Sequence, residues 1–255
     1  MHLRLLICLL FLSALQKSAA QIVNIEEQRI TGTNDSTHWY GHLRAAFNLS
    51  KVRETALQWN AESKVQYKNR RHLSLLLLNY DLVKAGENDF VNSAFAHLRY
   101  NFKLTDPLVW EGFAQIQTNK LLLIRTRMLF GTGLRQRFFL TRNQRSRLYL
   151  GASWMWEQND FTGDNASLSW HRFSSYVSST WRFGKNQSLI GTVYWQPVFG
   201  FIKNYRVLAD LTLNLPLSRH LSFILDFTFT KETGLPVAAP QETVIWKNGL
   251  TWRLN

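Results

Sequence analysis

Four arginines in the segment RTRMLFGTGLRQR, namely Arg125, Arg127, Arg135 and Arg137, recur at even spacing with Gly131 and Gly133 between them. Residues two apart share a face of an extended strand. One face of this stretch therefore carries four guanidinium groups, while Leu122, Ile124, Thr126, Met128, Phe130, Leu134 and Phe138 occupy the other. Two chemistries are open to the basic face. Unpaired, the arginines form an anion-attracting pore lining; paired with acids such as Glu111 and Glu157, they brace a filled interior. Like charges in a narrow space repel one another, so pairing is the favoured expectation.

Histidine and serine invite a second reading, that of a nucleophile with its base. His97 with Ser93, and His171 with Ser169 or Ser175, fall on common strand faces. Spacings of two or four residues along one strand hold such side chains about 7 to 13 Å apart, beyond hydrogen-bond reach. No catalytic residue is assigned on that basis. A lipid acyl-chain hydrolase stays as the alternative function, dependent on partners from neighbouring strands. His38 and His42 share a face without a third ligand, so neither a metal site nor a cofactor is assigned. The single cysteine, Cys8, sits in an apolar N-terminal run and offers no thiolate chemistry to a mature chain.

The elements that must position these residues follow from patterning. Residues 1–20 combine an early charge at Arg4, the apolar run Leu5 to Leu15 and small residues at Ser18-Ala19-Ala20, as a secretory signal peptide does. The expected organisation is residues 1–20 as signal peptide, 21–37 as an N-terminal periplasmic segment and 38–255 as the folded domain. Without Arg4 and Lys17 the chain holds 28 basic against 17 acidic side chains, a net charge of +11. That excess comes with 10 Trp, 17 Phe and 8 Tyr and with no basic run longer than two residues, which suits a membrane interface better than a nucleic acid.

Beyond residue 20 no apolar run reaches the ~18 residues of a membrane helix. What recurs is strict alternation over about ten residues between Asn-, Asp-, Gly-, Lys- and Arg-rich segments, the dyad pattern of barrel strands. Trp39, Gly41, Leu43, Ala45, Phe47 and Leu49 oppose His38, Tyr40, His42, Arg44 and Asn48. Leu221, Phe223, Leu225, Phe227 and Phe229 oppose Ser222, Asp226 and Thr228. The predicted strands are 38–49, 55–67, 72–83, 90–103, 108–118, 121–139, 147–157, 168–183, 187–196, 204–215, 220–231 and 242–254. This is an all-β, transmembrane antiparallel up-and-down β-barrel of about twelve strands. Its apolar faces are too numerous for a soluble barrel to enclose, and ionic groups avoid them, so lipid is their expected solvent. Short turns near Lys68–Arg71, Thr105–Pro107, Thr141–Ser146, Gly184–Asn186 and Pro216–Arg219 are expected in the periplasm, and longer loops at 159–167, 197–203 and 232–241 outside. Gly131, Gly133 and Gly151 are expected to make room for inward Phe113 or Tyr149, and Tyr67, Tyr100, Trp110, Phe138, Trp181, Trp195 and Trp252 to form interfacial girdles.

The segments Trp110-Glu111-Gly112-Phe113-Ala114-Gln115-Ile116-Gln117, Arg127 to Arg137, Arg147-Leu148-Tyr149-Leu150-Gly151, Phe95 to Asn101 and Lys247-Asn248-Gly249-Leu250 stand in an ordered set. With them the chain resembles, over most of residues 38–254, the family catalogued as domain of unknown function 481 and described as salt-induced outer membrane proteins. The resemblance implies an outer-membrane barrel and brings no activity or catalytic residue. The expected function is thus non-enzymatic: a narrow pore or a structural or stress component of the bacterial envelope. Its expected partners are outer-membrane lipid and, during biogenesis, the barrel-assembly machinery.

Overall fold

The computed structural model describes residues 38–51, 55–86, 88–141, 146–163, 167–183, 187–218 and 220–252. The signal-peptide and periplasmic-segment expectations fall outside them. Twelve strands follow one another: β1 (His38–Lys51), β2 (Thr55–Lys68), β3 (His72–Ala85), β4 (Asn88–Lys103), β5 (Leu108–Asn119), β6 (Ile124–Leu140), β7 (Arg147–Phe161), β8 (Ser167–Phe183), β9 (Gln187–Val198), β10 (Phe201–Pro216), β11 (Leu221–Glu232) and β12 (Glu242–Trp252). Each pairs antiparallel with its neighbours in chain order, forming one twelve-stranded sheet. This is the up-and-down barrel topology expected. Its curl brings β6 against β11 across the interior, where Arg127 meets Glu232, although β1 and β12 share no ladder among the described residues.

Alternation sets the two faces. In β6 the outward Met128, Phe130, Leu134 and Phe138 are exposed, while the inward Arg127, Leu129, Gly131 and Arg135 are buried. The same parity holds in β8, with Phe173, Val177 and Trp181 exposed against buried Arg172, Ser174, Tyr176 and Ser178. Among the described residues, ionic side chains at outward positions lie within two residues of a strand end: Lys51, Lys84, Arg125, Asp160, Lys203, Lys231 and Glu242. These lie toward the end carrying the β5–β6 and β11–β12 connections. Between the strand ends the described outer band is free of charge. Toward the other end aromatic residues meet in pairs, Trp39 with Tyr67 at 4.8 Å, Tyr100 with Trp110 at 6.0 Å and Phe139 with Trp181 at 5.6 Å.

Three details depart from the sequence reading. The β6–β7 register shifts between Ile124 and Thr126. This bulge turns Ile124 inward, and Leu122 and Ile124, expected on the outer face, are each only 1% exposed. The stretch 197–203, expected as a long loop, is strand on both sides of a two-residue turn, Phe199-Gly200, in which Gly200 adopts φ 75°. Glycine takes that left-handed conformation without a Cβ clash. β7 likewise runs on to Phe161, shortening the 159–167 loop.

Candidate functional site

The inward positions of β4 to β11 build two charged clusters stacked along the barrel. In the first, Arg127 of β6 donates from Nη2 and Nη1 to Glu232 at 2.6 and 3.2 Å, and from Nε to Asn159. Arg206 of β10 donates to Glu232 at 2.6 Å and to Glu157 of β7 at 2.9 Å. Arg172 of β8 donates to Glu157 at 3.3 Å, to the Gln196 carbonyl at 3.0 Å and to Asn204 Oδ1 at 3.1 Å. Asn159 donates to Glu157 at 2.8 Å. Three arginines and two glutamates thus form a continuous chain over five strands, and none of the five side chains is more than 4% exposed. Charges so far from water survive only when every one is paired and hydrogen-bonded.

A plug covers this cluster. The β11–β12 connection, residues 233–241, lays Leu235 and Ala239 against Leu122, Ile124 and Phe161 in one buried apolar group. Thr233 fixes the connection by donating from Oγ1 to the Lys203 carbonyl at 2.8 Å, and Gln241 donates to the Leu235 carbonyl at 3.1 Å.

The second cluster centres on Glu111 of β5. It accepts from Arg99 at 3.1 Å, Asn101 at 3.1 Å and the Tyr176 hydroxyl of β8 at 2.5 Å, with Arg135 at 3.9 Å. The Arg135 guanidinium lies 3.7 Å over the Tyr149 ring, a favourable cation–π placement. Between the clusters lies a cavity of about 30 Å³, lined in part by Gln115, Met155 and Tyr194, room for a water or two.

The expected basic cluster is therefore divided. Arg127 pairs with Glu232, Arg135 adjoins Glu111, and Arg137 reaches out of the barrel end to Asp106 at 2.7 Å. Arg125 is not lumenal: the bulge beside it leaves it exposed on the outer wall, in a groove with Ala94, Ala96 and Ile116. Glu111 and Glu157 both receive arginines, and Glu157 takes Arg172 and Arg206 rather than a β6 arginine. The sequence reading missed Arg99, Arg172, Arg206, Tyr176 and Glu232 as partners. Strand parity points all of them inward; what it cannot give is which ones meet.

The glycines serve packing. A Cβ at Gly131 would strike the Phe113 ring, as expected, whereas one at Gly133 would strike Ser153 and the Ala152 carbonyl, and one at Gly151 the Tyr176 ring rather than Tyr149. The histidines stand apart from serine. His97 is buried, bonded to Gln115 at 3.0 Å and stacked near Phe95 and Phe113. His171 points outward and stacks 5.5 Å from Trp154, while the Ser175 hydroxyl donates to the Trp195 carbonyl.

Outside the strands, Asp106 in the β4–β5 turn takes Lys103 at 2.8 Å and Arg137 at 2.7 Å. Hydrogen bonds from these two cations hold its carboxyl down at about 2.

The sequence model of a family described as protein of unknown function, DUF481, matches residues 29–242. The chain belongs to the DUF481 family. No curated protein matches this DUF481 member. Among solved structures it is similar to the NanC porin in a rhombohedral crystal form, at 13% identity and a TM-score of 0.47, over 85% of this chain and 98% of that one.

Proposed function

We propose that this protein is an outer-membrane β-barrel with a closed interior, serving the bacterial envelope as a structural or stress component rather than as an open channel. The observation that carries the reading is the chain Arg127–Glu232–Arg206–Glu157–Arg172, which crosses the interior beneath the apolar plug of the β11–β12 connection. On the side built by β6 to β11 a solute could pass only by breaking buried ion pairs. The charge-free outer band and the aromatic pairs near one end support lipid as the surrounding solvent. In the orientation this implies, the short-turn end faces the periplasm and the β11–β12 connection faces outward.

A narrow pore is the second reading, favoured by one observation. The inward face of β1 and much of those of β2 and β11 is polar and exposed or half-buried, including Arg44, Gln58, Asn60 and Asp226. Planar-bilayer recording separates the two. Purified, folded protein is expected to hold a closed baseline across salt concentrations. Steady conductance in the native protein overturns the closed reading, and in that case its anion or cation preference identifies the polar seam as the path. Neither His97 nor His171 favours the acyl-hydrolase alternative, since His97 bonds Gln115, His171 stacks on Trp154, and neither is hydrogen-bonded to a serine among the described residues.

A further inference from the structure

The barrel end that carries the β2–β3 and β4–β5 turns holds a strongly basic basin. It encloses about 200 Å³ and is lined by Lys68, Arg70, Arg71, Lys103, Arg135 and Arg137, with Asp106 the one carboxylate among its lining residues. Asp106 is also the one carboxylate among the described residues of the turns at this end. The opposite end mixes signs, with Asp160, Glu232 and Glu242 set against Lys120, Lys203 and Lys231.

Asp106 is taken by Lys103 and Arg137, and Arg135 is steadied by Tyr149 and Glu111. Arg70 and Arg71, exposed on the β2–β3 turn, have no carboxylate at ion-pair distance among the described residues. The turn beneath them is nonetheless built: Asn69 Oδ1 accepts from the backbone N–H of Arg71 at 3.0 Å and of His72 at 2.9 Å, which fixes where the two arginines start. Arg70 and Arg71 add two cations beside Lys103 and Arg137, which already share Asp106, at a cost in self-repulsion, and an anion with several oxygens relieves it. Guanidinium groups match phosphate oxygens with paired N–H donors.

We propose that this basin binds a phosphate ester, supplied either by a free phosphorylated small molecule or by the headgroup of a lipid at the barrel rim. Arg70 and Arg71 act as the principal clamps and Lys68 adds charge. The site is independent of whether the interior is closed, since it lies at the rim.

The test uses the full folded protein in a zwitterionic detergent and in nanodiscs. Glycerol 3-phosphate is titrated by calorimetry in detergent, with sulfate as the competing anion. Retention of phosphatidylglycerol against phosphatidylcholine is read by native mass spectrometry from mixed nanodiscs. The variants are the Arg70→Ala/Arg71→Ala double substitution, on an exposed turn, and Lys203→Ala at the opposite end, also exposed. Saturable glycerol 3-phosphate binding, weakened about ten-fold or more by the double variant and unchanged by Lys203→Ala, supports a free-ester ligand. Phosphatidylglycerol retention that the double variant loses, without binding of the soluble ester, supports the headgroup. Binding of neither, sulfate binding as strong as phosphate ester binding, or equal effects of the two variants overturns the proposal.

Discussion

Replacing Glu157 by Gln tests whether the interior is as dry and as interlocked as its geometry implies. Glu157 is 0% exposed and accepts from Arg172, Arg206 and Asn159. The substitution keeps volume and most of the shape but leaves three buried arginines facing Glu232 alone. Removing one partner of a buried ion pair costs about 3–5 kcal/mol, because the remaining charge stays desolvated and uncompensated. Since Glu157 serves two arginines, Glu157→Gln is expected near the upper part of that range. The reading is urea unfolding of detergent-folded protein, followed by tryptophan fluorescence and by the gel-mobility difference between folded and unfolded barrel. Adding Arg172→Met removes one stranded cation and should recover about 1–3 kcal/mol, a coupling that a double-mutant cycle isolates. In planar bilayers the single variant should show openings absent from the native protein. A loss below about 1 kcal/mol for Glu157→Gln, the scale of a solvated pair, would mean that water already screens the cluster, and the closed interior would have to be given up.

Phe130→Arg places a cation in the middle of the outer band, where lipid should make it cost about 2–4 kcal/mol; a stability equal to that of the native barrel in the same unfolding assay speaks against a membrane around that face. Gly151→Ala drives a methyl into the Tyr176 ring and displaces the hydroxyl from Glu111, so a loss of about 1–3 kcal/mol is expected, and near-native stability would show that the ring has other room. Asp106 has a folded-state carboxyl held near 2 against an ordinary value of about 4. Its contribution is therefore present above pH 4 and fades as pH falls from 4 toward 2, so Asp106→Asn should flatten the stability profile in that window alone; the exposed position keeps the effect small.

The twelve strands were legible in the sequence because alternation is a local property: each residue reports its own face without reference to distant ones. Nine of the predicted strands differ from the observed ones by no more than two residues at either end, as with 108–118 against Leu108–Asn119. The exceptions are β6, β7 and β10, which meet the bulge or the shortened connections. The bulge at Ile124–Thr126 was not legible, since Leu122 and Ile124 keep period two with Met128 and nothing local marks an extra residue. Arg125 was misplaced for that reason. The two-residue turn at Phe199-Gly200 had its glycine as a signal, but Pro197 and the polar residues near Lys203 read as loop.

By itself the sequence determined the two alternating faces of each strand outside the bulge, and with them the antiparallel, chain-order arrangement of the sheet. Only the tertiary structure decided that Arg127 meets Glu232 from 105 residues away, that Glu157 serves Arg172 and Arg206, and that the β11–β12 connection stoppers the end. The reason is geometric. Parity along a strand needs only the two-residue repeat of the chain, whereas a contact across the barrel depends on strand stagger and on the curvature accumulated over several ladders, which no single segment encodes.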